Sequence, residues 1–407
     1  MQVLLVTHYF PPEIGAPQVR LADVAARWAA TGDDVTVLTG MPNHPTGVVP
    51  PEYRRRARAE ERVDGYRVVR TWLYATPNEG VFKKTLGHLS FMVTSVLLGG
   101  HRAGPADVVV VSSPTFLSIL SAWFLARRKR ARLIVEVRDL WPAIFVELGI
   151  LKNRAVIRAL ERVELAAYRA ADAVVTVTDG FRDDLIQRGV PAQKVHTIFN
   201  GADVDRFRAS PEDAASQRAR LGVDPDETVV LYAGAHGISH GLVSVADAAA
   251  KLRDEPVRFV FVGEGAAKRD LANRVAELGL GNVLMLPGVP HDDVPALLAA
   301  ADICLAPLRD VPLFATFVPS KIFEYLAAGR PVIGAVTGEP AAILRRAGAV
   351  VVPPEDPAAL ADAVRELRAD RDRREAIGAE GRRYVAEHFD RALLATRYHD
   401  LLADVVG

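Results

Sequence analysis

Two consecutive doubly wound α/β domains are the fold this sequence predicts, and three observations lead there. Short β-branched or leucine-rich runs alternate with longer alanine-rich amphipathic segments along the chain. Most of those runs are apolar on both alternations, as strands covered on both faces of a parallel sheet must be. The pattern then restarts: VLLVTHYFPPEIGAP and VVLYAGAHGISHGL each read as an apolar strand, a loop with glycine and a helix. A chain of 407 residues, half of them hydrophobic, is long enough for two domains and apolar enough for two cores.

In chain order, the first half supplies strand candidates at 3–7, 34–39, 66–72, 108–112, 133–137 and 173–178. The second half supplies 228–233, 258–262, 283–286, 303–307, 331–335 and 349–352. Helices such as 20–31 and 293–300 lie between them. The polar, turn-rich stretch FNGADVDRFRASPED suits a linker and puts the boundary near 200–208. This gives a first domain over 1–200 and a second over 201–385, with a helix over about 386–407 expected to pack back on the first.

Composition excludes several classes of function. Lysine plus arginine balances aspartate plus glutamate, 50 against 50, which argues against a nucleic-acid binder. Cys304 is the one cysteine, so neither an internal disulfide nor a thiolate metal cluster can form, and a reducing, cytoplasmic setting is expected. The start MQVLLVTHYFPP lacks a basic leader region and reads as a first strand rather than a signal peptide. No apolar run reaches the roughly 18 residues of a membrane span. The segment 82–98 nevertheless joins Lys83 and Lys84 to a long apolar run, which suits either insertion at a membrane surface or a buried helix.

The chemistry-bearing residues gather at the carboxyl ends of predicted strands, where open α/β sheets collect ligands. After the first strand come Pro11, Pro12, Gly15 and Pro17, where glycine admits a close ligand and a helix start favours anions. This is no GxGxxG fingerprint, which disfavours a nicotinamide-dependent oxidoreductase. The loop Gly234-Ala235-His236-Gly237-Ile238-Ser239-His240-Gly241 offers a phosphate cradle. Its histidines bring hydrogen-bond donors whose charge is tunable near neutral pH. His-x3-His without a third ligand makes a poor zinc site. Gly263-Glu264-Gly265 and Pro287-Gly288-Val289 occupy equivalent places on later strands.

The most specific stretch is FVPSKIFEYLAAGRPV. Pro319 stops the preceding segment, Ser320 suits an N-cap, and Lys321 can neutralise phosphate beside exposed helix-start amides. Glu324, one turn on, can accept both hydroxyl protons of a ribose; the plainer reading is helix capping. In the first half, VEVRDLWPAIFVELG puts Glu136, Arg138, Asp139 and Trp141 after an apolar strand, with the charged side chains expected to face a cleft.

Six ordered stretches, YFPPEIGAPQVRL, VTVLTGMPNHPTG, VRDLWPAIFVELGILKN, FNGADVDRF, YAGAHGISHGL and PSKIFEYLAAGRPVI, resemble the retaining family 4 glycosyltransferases of the GT-B fold. The resemblance is to the WbuB-like branch in particular, which transfers N-acetylated deoxyhexosamines. It implies two Rossmann-like domains facing across a cleft. Gly15 and Ala16 would then lie against a donor diphosphate, and Gly234, His236, Gly237 and His240 would meet its phosphates. Gly263, Glu264 and Val289 would frame the base. Glu324 would hold the ribose, and Ser320 and Lys321 would lie beside the diphosphate. Arg138 and Asp139 would face the transferred sugar and the acceptor, which makes Asp139, Arg138, His236 and Lys321 the catalytic candidates.

Two departures stand out. Thr316 occupies the place of the first glutamate of the family's Glu-x7-Glu pair, where it would help shape the hexose pocket. Ala235 and His240 stand where many members carry arginine and lysine. The implied reaction is metal-independent, retaining transfer from a UDP-sugar to an acceptor hydroxyl, with no cofactor. A sugar on a polyprenyl diphosphate suits the apolar segment as acceptor, and a natural-product aglycone is the alternative. A GT-B-type sugar-nucleotide epimerase and a non-catalytic sugar-nucleotide-binding protein are the competing functions.

Overall fold

The computed structural model describes residues 1–13, 15–44, 46–76, 81–113, 116–147, 149, 151–208 and 210–407; of Ala16, Val81, Phe82 and Phe116 it describes the backbone alone. The chain divides into two compact units, Met1–Phe199 with Leu394–Gly407, and Asn200–Leu393. Residues 386–393, expected with the first domain's returning helix, go with the second unit.

The first unit runs β1 (Gln2–Val6), α1 (Ala16–Ala30), β2 (Asp34–Gly40), β3 (Arg58–Val63), β4 (Tyr66–Thr71), α2 (Val81–Thr94) and β5 (Val108–Ser112). It continues with α3 (Phe116–Lys129), β6 (Arg132–Val137), α4 (Ala143–Glu147), α5 (Arg154–Ala170), β7 (Ala173–Thr176), α6 (Asp179–Gln187) and β8 (Val195–Thr197). Its sheet order is β3-β4-β2-β1-β5-β6-β7-β8. All pairs are parallel except β3–β4. Valine-rich central strands are buried on both faces, for example Val108–Val111, because helices cover them from either side.

Strands β3 and β8 lie outside the strands expected from the sequence. Strand β3 is RAEERV, mostly exposed and at the sheet edge, where charged side chains discourage further pairing, so no apolar signal was there to read. Strand β8 is only three residues long. β7 stops at Thr176 rather than 178 because the Thr178 hydroxyl caps α6, accepting from Phe181 N at 3.1 Å.

The second unit runs α7 (Pro211–Arg220), β9 (Thr228–Ala233), α8 (Leu242–Lys251), β10 (Val257–Val262), α9 (Lys268–Glu277), β11 (Val283–Leu286) and α10 (Val294–Ala299). It continues with β12 (Ile303–Pro307), α11 (Ser320–Ala327), β13 (Val332–Ala335), α12 (Gly338–Arg346), β14 (Val350–Val352), α13 (Pro357–Ala369) and α14 (Arg371–His388). The last helix, α15 (Arg391–Val406), begins in this unit and passes into the first, where Tyr398 meets Trp28 edge to face at 5.1 Å between ring centroids. The six strands, in the order β11-β10-β9-β12-β13-β14, are all parallel. Cys304 on β12 is fully buried, and burial pushes its thiol up to about 12.

Each sheet reverses the direction of its connections once, between β1 and β5 in the first unit and between β9 and β12 in the second. The carboxyl ends of those strand pairs are the crevices where doubly wound folds bind ligands.

Candidate functional site

In the second unit the chain leaves β9 through Gly234 to Gly241 and leaves β10 through Gly263 to Gly265, and backbone bonds zip the two loops together. His236 N donates to Glu264 O at 2.8 Å, and Ala267 N donates to His236 O at 2.8 Å. The approach is close enough to require glycine: a Cβ on Gly263 would fall 1.9 Å from Gly234 O, and φ there is +151°. A Cβ on Gly234 would stand 3.2 Å from Lys321 Nζ, so the lysine already fills the space over that turn.

Lys321 enters from the first turn of α11 and is 8% exposed. Its Nζ donates to Tyr232 Oη and lies 3.8 Å from the centre of that ring. Tyr232, buried at the end of β9, donates its own hydroxyl proton to Ala235 O at 2.6 Å, so its lone pair is turned to the lysine. Burial lowers the Lys321 pKa to about 7, against the opposing pull of Glu324. Among the described residues no carboxylate lies within ion-pairing distance of this ammonium.

Both histidines of the loop line the same corner, with ring centres 5.7 Å (His236) and 5.9 Å (His240) from that of Tyr232. Burial, then the charges of Lys268 and Lys321, lowers His236 to about 4. Burial, then Lys321, holds His240 well below its ordinary value. The expected tunable charge is therefore displaced from the rings, both neutral at pH 7, to the lysine, which titrates near that pH. Neither ring nitrogen of His236 has a hydrogen-bond partner among the described residues, nor has Nδ1 of His240, so this corner holds buried polar atoms left unsatisfied.

Ser320 is not the N-cap expected of it. It is the first helical residue; Pro319 holds the cap position and no side chain caps the helix. The start of α11 thus keeps uncapped amides beside Lys321. Glu324, one turn on, has Arg391 Nη2 at 3.7 Å. Burial raises its pKa while Arg391, Lys321 and Arg206 pull it down. Thr316 turns its hydroxyl inward to donate to Leu313 O at 2.8 Å, closing the turn Pro312–Thr316. Glu264 is exposed and bonded to Lys268 Nζ at 2.7 Å; Lys268 also donates to Gly263 O and Leu286 O, tying the ends of β10 and β11 together. Val289 is half-buried just beyond β11.

Five of the expected residues, Gly234, His236, Gly237, His240 and Lys321, thus share one corner, with Glu264 and Val289 on neighbouring strand ends. Tyr232 and Arg391 were not foreseen. Tyr232 reads as one more apolar strand residue, and Arg391 lies far along the chain with no pattern to mark it.

In the first unit Gly15 precedes α1, whose start carries no capping side chain and no acidic residue in its first turn. The side chain of Ala16 lies outside the described residues. Glu13, which the sequence reading passed over, is buried and shapes this edge: its carboxylate accepts from Phe10 N at 3.0 Å and from Asn43 N and His44 N at 2.8 Å each. Glu136 does not face a cleft as expected. It is fully buried, accepting from Arg20 Nη1 at 2.7 Å and Ser112 Oγ at 2.9 Å. Asp139 is half-buried, its pKa raised by desolvation and held back by Arg138. Among the described residues no group of three or more His, Cys, Asp or Glu is placed to hold a metal.

Family models match each unit in turn: residues 15–201 fit the "Glycosyl transferase 4-like domain" and residues 213–384 fit "Glycosyl transferases group 1". Two Rossmann-like domains with these matches define a glycosyltransferase of the GT-B class, a hexosyltransferase-type enzyme. Within that class the two matches and the similarity to WcaI support family 4. The chain is 28% identical over 335 residues to WcaI of Escherichia coli K12, by name a colanic acid biosynthesis glycosyl transferase, covering 81% of this chain and 82% of that one. It is also 28% identical to a GDP-mannose-dependent alpha-(1-6)-phosphatidylinositol monomannoside mannosyltransferase of Mycobacterium tuberculosis, over 98% of both chains. Among solved structures, Anabaena HepE in complex with UDP and glucose shares the fold with a TM-score of 0.76 at 18% identity, over 99% of this chain and 100% of that one. Sucrose-phosphate synthase from Thermosynechococcus elongatus does so with 0.75 at 22%, over 99% and 98%.

Proposed function

We propose that this glycosyltransferase moves an N-acetylated deoxyhexosamine from a UDP-sugar to a hydroxyl of a polyprenyl-diphosphate-linked sugar, as in the WbuB-like branch. Configuration is retained and no metal takes part. The observation that carries the donor reading is Lys321: a buried ammonium without a carboxylate partner among the described residues, held by Tyr232 over a glycine turn at the carboxyl end of β9. Such a cation is costly to bury unless an anion completes it.

In the reaction the bond from the anomeric carbon to the diphosphate oxygen breaks, and the nucleoside diphosphate leaves with the electron pair. The acceptor oxygen bonds that carbon on the same face, and its proton passes to the departing diphosphate. Charge grows on the leaving oxygens, where Lys321, the uncapped amides of α11 and neutral His236 and His240 would stabilise it. Glu324 would take the ribose hydroxyls and Asp139 would contact the acceptor; no side chain is assigned as nucleophile. The setting is cytoplasmic, with segment 82–98 meeting the inner membrane face.

UDP is chosen on the family resemblance and on HepE's complex with UDP and glucose, and against the GDP-mannose dependence in the mycobacterial relative's name. A thermal-shift panel decides. UDP-N-acetylhexosamines should raise the midpoint in proportion to RT ln(1 + [L]/Kd), with GDP-mannose inert. The reverse pattern would overturn the UDP assignment.

A further inference from the structure

The carboxylate of Glu324 is largely buried, and among the described residues it accepts no hydrogen bond. What stands opposite is a guanidinium: Arg391 Nη2 lies 3.7 Å from Oε1, inside ion-pairing range and outside hydrogen-bonding range. At that spacing the negative charge is answered while the lone pairs stay unspent. A bidentate contact would have engaged both oxygens. A carboxylate kept this way can accept from two neighbouring hydroxyls at once.

The arginine is delivered from the start of α15 on a backbone that is pinned on more than one side. Arg391 N donates to Ala202 O at 3.0 Å, and Ala202 N donates to Phe389 O at 3.1 Å, around a parallel bridge between Ala202 and Asp390. Asp390 tightens the join, its Oδ2 accepting from Val204 N at 3.3 Å and its Oδ1 from Ala392 N at 2.8 Å. The Phe389 ring lies against that of Phe323, the residue before Glu324 on α11, at 4.8 Å between centres. Arg391 itself is 4% exposed. An arm anchored and buried to this degree is ordered on folding, so little entropy is left to lose when a ligand binds.

Two other cations act on Glu324 from a distance, Lys321 and Arg206. Lys321 is held by Tyr232, and Arg206 is paired with the exposed Asp292. The nearby His291 is pushed down to about 4 by burial and then by Arg206 and Arg391, so it brings no charge at neutral pH. Among the described residues only Arg391 comes within ion-pairing distance of the carboxylate. All of these residues belong to the second unit.

We infer that Arg391 is a positioning residue for the donor: acting through Glu324, it holds the carboxylate where both ribose hydroxyls reach it, and so sets a preference for ribonucleotides over 2′-deoxyribonucleotides. This rests on the ribose role proposed for Glu324 and extends it to a residue beyond the stretches that either family model matches.

Equilibrium binding of UDP and 2′-deoxy-UDP to the full chain tests this, with GDP and 2′-deoxy-GDP in parallel so that the choice of base does not enter. The native protein should bind the ribonucleotide about tenfold or more tighter, because the missing hydroxyl leaves a carboxylate oxygen unpaired. Arg391→Met should bring that ratio close to one, and Arg391→Lys should restore part of it. In a Glu324→Gln background, Arg391→Met should change the ratio no further. Should the stranded carboxylate keep Arg391→Met from folding, Arg391→Gln reads the same ratio without the charge. A native ratio near one removes the ribose role of Glu324 and this inference with it. A native preference that Glu324→Gln erases, but that Arg391→Met or Arg391→Gln leaves whole, overturns the inference alone and makes Arg391 a pin of the fold.

Discussion

The two switch points handle buried charge in opposite ways. In the first unit two buried charges near the strand ends are answered from within: Arg20 by Glu136, and Glu13 by three backbone amides. In the second, Lys321 is answered by a phenol and an aromatic face, and Glu324, the nearest acid on its helix, is turned to Arg391. A charge cancelled in place is scaffolding. One left without its counter-ion makes a receptor for a ligand that brings it.

Substitutions can break that contrast, and the largest effect belongs to the scaffold. Arg20→Met strands the Glu136 carboxylate and should cost about 3–5 kcal/mol in denaturant unfolding. Lys321→Ala should do the opposite: kcat/KM for the donor falls by about 10²–10³, while the unfolding midpoint stays or rises because a buried ammonium is gone. A midpoint collapse with intact turnover would reverse the roles assigned to the two sites. Glu13→Gln sets an amide donor against a backbone N–H, so about 1–3 kcal/mol of stability should go, with kcat/KM falling only as the loops at 10–15 and 43–44 loosen. Glu324→Gln should lose roughly tenfold in kcat/KM through weaker ribose contact, seen mainly in KM.

A pH trend sharpens the same contrast near neutrality. The free enzyme's lysine titrates near pH 7, and an anionic donor prefers it protonated. Donor kcat/KM should therefore fall by up to about tenfold per pH unit above 7. Stability of the unliganded protein should move the other way. The unfolded chain holds this proton up to 10.5, the folded chain only to about 7, so stability from this group is gained as pH rises between those values. Lys321→Ala should flatten both trends.

Much of the fold was legible because buried parallel strands leave continuous apolar runs, and the glycine loops were legible because close backbone approach admits little else. Strand β3 was not, since an edge strand is chosen for its charges. The lysine was found from its place at a helix start, but its partner Tyr232 was hidden in the strand's hydrophobic pattern. Ser320 was misplaced by one position because proline can itself stand at the cap. The neutrality of His236 and His240 depends on burial and on a lysine some eighty residues away, a distance that local patterns do not span.

Cys304 has a practical consequence. The chain's only thiol lies sealed on β12 with its ionisation suppressed, so maleimide chemistry should pass the native protein by. One new cysteine on an exposed helix of each unit would then take a donor and an acceptor fluorophore without competition. The distance between the units, with and without a sugar nucleotide, becomes a quantity that single-molecule energy transfer can read.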